Sequence, residues 1–383
     1  MISLEPAVAQ EIVERTMKVI PYNVNVMDAR GVILGSGDPG RVGEIHAGAQ
    51  LALSRARTIE IKVADTRVLQ GARAGINIPV SVRGTLCGVV GVTGRPAEVR
   101  PFGEMVRVMA EMILEQALLV RELQHEKRYR EEFVDQLIRQ SAASRAELEV
   151  WAVRLGVDFQ RPRSAIVLQL TDPALSQHAA ISELERCQAQ LFGRDPSLLM
   201  SITSPRELVI LKTGAPTRND RTTAAEARQQ LLMIDETCTR AVDTPTELAL
   251  GVALPGIDGV PLSYRCACQT LRVGRARDAG ARLFSYYELG FPVILSGLDG
   301  GWQAEQLRRP LSRLQQRDTR GATLRQTLVA WFRHDCQADR TARALGVHRN
   351  TLDYRLRQIG EITGLELDRI DDRLLIYTAL QLE

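Results

Sequence analysis

The stretch from Asp339 to Leu365, DRTARALGVHRNTLDYRLRQIGEITGL, constrains this chain more than any other. A small residue, Ala342, is followed four positions later by Gly346, with Leu345 and Val347 on either side of the glycine. Leu352, Leu356 and Ile359 then recur at helical spacing. Two short helices that cross closely need these things: a small residue at the crossing, a turn residue that tolerates positive φ, and an apolar inner face on the second helix. All positions fit one template, that of a helix-turn-helix. The outer face of the second helix carries His348, Arg349, Asn350, Thr351, Asp353, Tyr354 and Arg357. Asn350, Tyr354 and Arg357 share one side. Arginine forks onto guanine and asparagine pairs with adenine in the major groove, so these seven residues are the expected contacts to DNA. Arg355 lies nearer the edge, facing phosphate or solvent.

Charge supports a local interface. The whole chain has a net charge of only +3, so it is no polycation. Residues 340–360, however, hold five Arg against one Asp, an excess that attracts phosphate. No run of about 18 apolar residues marks a transmembrane helix. The start, MISLEPAVAQEIVERT, lacks the basic and apolar stretches of a secretory signal. A cytoplasmic protein with no membrane contact is expected. The six cysteines are scattered without a C-x-x-C pair, which argues for small buried thiols over zinc or disulfides. No metal, cofactor or catalytic residue is expected.

The remainder reads as a multidomain α+β chain. Residues 4–20 have helical apolar spacing. VNVMDARGVILGSGD reads as strand, turn, strand, and DPGRVGEIHAGAQLAL as a glycine-containing turn opening a helix. Two further extended runs, INIPVSVRG and TLCGVVGVTG, complete the grammar of a PAS/GAF-like sensor domain over residues 1–102. A long helix is expected over 103–145, beginning at Gly103. Its stripe of Val106, Met109, Ile113, Ala117, Val120, Leu123, Phe133 and Leu137 approximates a 3.5-residue repeat, which points either to a helix packed on its own domain or to pairing with a second copy. Pairing, at least a dimer, is the expectation, because a lone helix this long rarely hides its stripe. Strands at SAIVLQL, LLMSIT, ELVILK and ELALGVA alternate with helical patterns, so an α+β middle domain is expected over 146–295. The tail, 305–383, reads as an all-α helix-turn-helix domain.

A ligand pocket is expected at Ser36-Gly37-Asp38-Pro39-Gly40-Arg41-Val42-Gly43-Glu44-Ile45-His46. A helix starting near Arg41 would offer free backbone N–H groups to an anion. Arg41 would fork onto a carboxylate, or else be a solvated turn residue. His46 would donate to the acid or to a sugar hydroxyl, or else be a satisfied structural histidine. Ser36 would donate from the preceding strand end, with Gly43 permitting close backbone approach. Asn77 in INIP would reach the same pocket or cap a loop. Aromatic residues make up only 4 % of the chain, which favours a polar, hydroxylated ligand over a nucleobase.

The C-terminal run VHRNTLDYRLRQIGEITGLEL…DDRLLIYTALQL resembles the helix-turn-helix of the purine-catabolism-regulator type. The N-terminal run EIVERTMKVIPYNVNVMDARGVILGSGDPGRVGEIHAGA resembles a sugar-diacid recognition domain. Together they are similar, nearly end to end, to the bacterial carbohydrate diacid regulators. The resemblance implies an activator of operons for uptake and breakdown of glucarate, galactarate or glycerate. The implied partners are promoter DNA, a small sugar diacid or hydroxy acid effector, and RNA polymerase. It also implies a degenerate cyclase-like middle domain. A working cyclase needs clustered carboxylates for divalent metals and a Gly-Gly-Asp/Glu-Glu-Phe hairpin. Here the hairpin reads Ser204-Pro205-Arg206-Glu207-Leu208. Glu207 alone cannot assemble that site, and Asp299 stands by itself between glycines, so no enzyme is expected. The competing reading is a small-molecule sensor acting through protein partners, with a structural tail.

Overall fold

The computed structural model describes residues 4–67, 73–139, 144–214, 224–298, 301–318 and 323–382; Asp299 lies outside them. The chain forms two compact units, Met1–Arg128 and Tyr129–Glu383.

In the first unit the elements run α1 (Pro6–Met17), β1 (Val24–Asp28), β2 (Ile33–Ser36), α2 (Ala47–Arg55), β3 (Ile59–Ile61), β4 (Gly75–Val82), β5 (Thr85–Thr93) and α3 (Pro96–Arg139), the last continuing into the second unit. The strands form one antiparallel sheet in the order β2-β1-β5-β4-β3. Period-two alternation sends Val24, Val26, Ile76, Ile78, Val90 and Val92 to one face, under α1 and the first half of α3. Met27, Ile33 and Val89 go to the other face, under Ala49 and Ala52 of α2. Strand β3 is a three-residue edge strand, too short to announce itself as alternation.

Helix α3 begins at Pro96, not at Gly103. Proline suits a first helical turn, whereas Gly103 is a packing residue. A Cβ there would stand 2.1 Å from Ile76 Cδ1, so the glycine lets the helix press onto the sheet. The expected pairing stripe is also redistributed. Val106 and Ile113 pack into the first unit's core, and Phe133 and Leu137 into the second unit's core. The stripe thus serves two intramolecular surfaces, and only Val120 and Leu123 of it are exposed.

The second unit continues with α4 (Arg145–Arg154), β6 (Arg163–Leu170), α5 (Gln177–Arg194), β7 (Leu199–Ser204), β8 (Glu207–Thr213), α6 (Ala224–Thr239), β9 (Thr246–Leu250), α7 (Gly259–Arg277), β10 (Leu283–Ser285) and α8 (Tyr286–Ser296). The sheet order is β10-β9-β6-β8-β7, antiparallel except for β10 on β9. Helices α5 and α6 cover one face. The end of α3, with α4 and α7, covers the other. The C-terminal helices are α9 (Trp302–Arg317), α10 (Thr323–Arg333), α11 (Ala338–Ala344), α12 (Arg349–Thr363) and α13 (Ile370–Gln381). They close around Leu311, Leu314, Leu328, Ile359 and Ile376. Phe291 of α8 stacks on Tyr377 of α13 with ring planes 9° apart, so α13 bears on the α+β layer as well as on its own bundle. Among the described residues no helix is long and apolar enough to cross a membrane.

Candidate DNA-reading helix and candidate ligand pocket

Helices α11 and α12 meet as the template requires. Ala342 is buried at their crossing, and the Val347 N–H donates to its carbonyl at 3.0 Å. Gly346 turns the chain at φ +64° with open space around it, so the demand there is conformational and not steric. His348 is the N-cap of α12, its Nδ1 accepting from the Asn350 N–H at 3.3 Å. Leu352 and Ile359 are fully buried on the inner side, and Leu356 packs beside them. Outside, His348, Arg349, Asn350, Thr351, Tyr354 and Arg357 are all exposed, and Asp353 is half-buried. Tyr354 presents 61 % of its surface to solvent. Arg349 makes a 3.2 Å ion pair with Asp339 of α11. Both partners are exposed, and such a pair is weak enough to yield to a competing acceptor. Arg355 points inward, donating to Thr327 Oγ1 on α10 at 3.3 Å, so it braces the bundle.

The residues of the expected pocket do not have the expected geometry. No α-helix starts near Arg41. Pro39–Arg41 makes a single 3-10 turn, and α2 starts at Ala47. Its N-cap is His46, whose Nδ1 accepts from the Ala49 N–H at 3.2 Å. That bond places the proton of the neutral ring on Nε2. Burial, aided by the positive charge of Arg41, pushes the His46 pKa down to about 4, so the ring is neutral at pH 7. Arg41 is itself buried, with its Nε 3.4 Å from Glu44 Oε2. Gly43 stands apart from the pocket. It is exposed at φ +91°, and its N–H donates to the Ile33 carbonyl, so it shapes the turn and makes no close backbone approach.

Ser36 reaches the pocket face through a bulge. Ile33 pairs with Met27 and Gly35 with Val26, leaving Leu34 as the extra residue of β2. An offset of one residue reverses which face a side chain takes. Ser36 therefore lies on the α2 face, opposite Asn25. Register then aligns Ser36, Asn25, Gly91 and Asn77 across four neighbouring strands. The Ser36 hydroxyl donates to Asn25 Oδ1 at 2.6 Å and accepts from the Asp38 N–H at 3.0 Å. Asn23 Nδ2 also donates to Asn25 Oδ1, at 3.3 Å. At the other end Asn77 is buried, and its Oδ1 has no hydrogen-bond partner among the described residues. Gly48 in the first turn of α2 brings His46 and Asn77 together. A Cβ at Gly48 would lie 2.7 Å from Asn77 Nδ2 and 3.0 Å from His46 Cε1. Asn25, Gly48 and Gly91 escaped the sequence reading. The one available signal was a polar residue, Asn25, at an inward position of an apolar strand.

In the middle layer the β7–β8 hairpin is built for structure. Arg206 donates to the carbonyls of Asp172, Pro173 and Leu175, the last at 2.6 Å. This ties down the loop between β6 and α5. Glu207 Oε1 accepts from Thr203 Oγ1 at 2.6 Å and from the Tyr264 hydroxyl at 2.9 Å. Among the described residues no three His, Cys, Asp or Glu side chains cluster as a metal site.

Comparison with known proteins finds three domain families along the chain. The sugar diacid recognition family matches residues 4–137, the GGDEF-like domain family residues 139–273, and the PucR C-terminal helix-turn-helix domain residues 324–382. The carbohydrate diacid regulator of Escherichia coli strain K12 is 43 % identical over 382 residues, spanning 99 % of this chain and 98 % of that protein. An uncharacterized protein of Haemophilus influenzae is 35 % identical over 99 % of both chains. The DNA-binding transcriptional activator AdeR of Bacillus subtilis is 28 % identical over 48 % of this chain and 44 % of its own length. The exposed reading helix, the match of all three domain families and the end-to-end identity converge: this chain belongs to the carbohydrate diacid regulator family, DNA-binding regulators of transcription with a PucR-type helix-turn-helix.

Proposed function

We propose that this protein is a cytoplasmic, ligand-responsive activator of operons for uptake and catabolism of sugar diacids or related hydroxy acids such as glucarate, galactarate and glycerate. The observation that carries the DNA-binding half is the outer face of α12. Asn350, Tyr354 and Arg357 stand exposed on one side of a helix whose inner side is fixed by Leu352 and Ile359. A helix so held offers its polar residues to the major groove, and a dimer of such chains reads two half-sites. His348, Arg349, Thr351 and Asp353 complete the reading surface. Bound at a promoter, it acts on RNA polymerase.

The effector half rests on the first unit, a PAS/GAF-like sensor in this reading. Arg41 supplies a fixed positive charge for a carboxylate. His46 Nε2–H donates, and Asn77 Oδ1 is a buried acceptor in need of a donor, which a ligand hydroxyl provides. Asn25, held by Ser36, stands about two strand spacings, roughly 10 Å, from Asn77 across Gly91. Such a row suits a short polyhydroxylated chain with an acid at its end. The middle domain has a structural role and no catalysis, because Arg206 and Glu207 are committed to internal hydrogen bonds.

A thermal-shift screen with glucarate, galactarate, glycerate, tartrate and glycolate tests the effector. A ligand bound only by the folded state raises the melting temperature by mass action. No shift with any of them at millimolar concentration removes the diacid reading. Salt-dependent gel shifts on promoter DNA test the other half separately.

A further inference from the structure

We propose that a second face of α3, from Met105 to Leu123, is the surface on which two copies of this chain pair, with their helices parallel. The proposal rests on the reading of the chain as a dimeric DNA-binding regulator and names the surface that makes the dimer. Met105, Val108, Met112, Leu119, Val120 and Leu123 are each between 46 % and 65 % exposed. At 100° per residue, five of these six, all but Val120, fall within an arc of about 80° together with Gln116. The helix face that packs on the sheet is a different one, formed by Val106, Ala110, Ile113 and Leu114. The exposed stripe therefore has no work to do within the first unit, yet it runs roughly 27 Å along the helix at 1.5 Å per residue. Met105, Met112 and Leu119 recur at the seven-residue interval of a two-stranded coil. Two such faces together bury on the order of 1,000 Å², the size at which an interface becomes specific.

Charge decides the direction. One flank of the stripe carries Glu104, Glu111, Glu115 and Glu122. Arg107 binds Glu104 and Glu111, and Arg83 binds Glu122, so four carboxylates face two guanidiniums and the flank stays acidic. The other flank, with Met109, Gln116 and Val120, is uncharged. In a parallel pair each helix sets one flank against the opposite flank of its partner, so acid meets neutral. In an antiparallel pair like flanks meet, and the two acidic rows would confront each other at a cost.

Three single-cysteine variants of the full chain, Met105→Cys, Met112→Cys and Leu119→Cys, test the direction under mild oxidation. The unaltered protein serves as the background for its own thiols. All three are expected to form disulfide-linked dimers at least tenfold faster than the background. Linkage at Met112 alone, near the middle of the stripe, indicates antiparallel pairing and overturns the proposal, as does linkage at none. The double variant Met112→Glu/Leu119→Glu, altered only at exposed positions, is expected to be monomeric by light scattering at 10 µM, on the order of the affinity range of weak dimers. Its far-ultraviolet circular dichroism should be unchanged. If it remains dimeric, the interface lies elsewhere. Gel shifts on promoter DNA with the unaltered chain keep the two ideas apart: DNA binding without linkage sinks only the interface, and linkage without DNA binding sinks only the regulator reading.

Discussion

Acidification should loosen the first unit through one residue, His46. Its imidazole is 3 % exposed and caps α2 through Nδ1. Protonating it puts a charge in a buried site beside Arg41 and removes the acceptor for the Ala49 N–H. The pKa falls from 6.5 to about 4 on folding, so the unfolded chain takes up this proton first. Stability from this group is complete above pH 6.5, is lost as pH falls towards 4, and changes no further below. At 1.36 kcal/mol per pH unit the full loss is about 3 kcal/mol, of which about 2 kcal/mol is gone at pH 5. Hydrogen exchange of a peptide spanning Glu44–Ala56, corrected for intrinsic rates, reads the opening free energy of α2 at pH 7.5 and at pH 5. The unaltered protein should lose about 2 kcal/mol between them. His46→Asn retains a side-chain oxygen for the cap but cannot titrate, and should lose far less. Equal losses in both proteins would show that His46 is not the group that responds, and the argument from its burial would fail.

Three further outcomes follow from the same geometry. Asn350→Ala and Arg357→Ala, both at exposed positions, should leave the melting temperature unchanged yet each cost about 1–3 kcal/mol of operator binding; gel shifts on operator and scrambled DNA check this, and equal weakening on both would reassign these residues to phosphate. Gly346→Val should destabilise the C-terminal bundle by about 1–2 kcal/mol in urea titration, because φ +64° disfavours a β-branched residue; Gly346→Asn should cost clearly less, since asparagine tolerates the left-handed region and the space around the Cβ is open to either side chain. Arg41→Ala should abolish acid binding in calorimetry while leaving DNA affinity intact, since the reading surface lies on α12; unchanged acid affinity would shift the carboxylate site towards Asn77.

The reading helix was legible in the sequence because its requirements are local. Ala342, Gly346, Leu352 and Ile359 fall within eighteen consecutive residues, and each must satisfy a helix crossing, a positive φ or an apolar face. No distant strand can alter those demands. The charged outer face was legible for the same reason, with one exception. Arg355 looked like an edge residue facing phosphate or water, and only the placement of α10 shows that Thr327 accepts its hydrogen bond. The second unit's strands were legible as apolar runs, whereas β3 was not, because three residues on a sheet edge hold too little alternation to read.

The arrangement of the candidate pocket was legible only in part, and the rest is a matter of register. Arg41, His46 and Asn77 were visible as polar residues in odd places. What Ser36 faces depends on one extra residue, Leu34, opposite an otherwise regular β1. What Asn77 faces depends on Gly91, fourteen residues away, and on Gly48 in a helix that arrives from the other side. Pairing across strands selects these neighbours, and no periodicity within one strand encodes them. The long helix shows the same limit in reverse. Its apolar residues were read as a single stripe, packed on its own domain or paired with a second copy, because spacing alone cannot tell which of several faces the chain itself will cover. Once Val106 and Ile113 are claimed by the sheet, Met105, Met112 and Leu119 remain exposed. Apolar side chains that a helix keeps at seven-residue spacing after its own core is satisfied are unexplained by folding of one chain, and a second helix of the same sequence is the simplest surface that matches them.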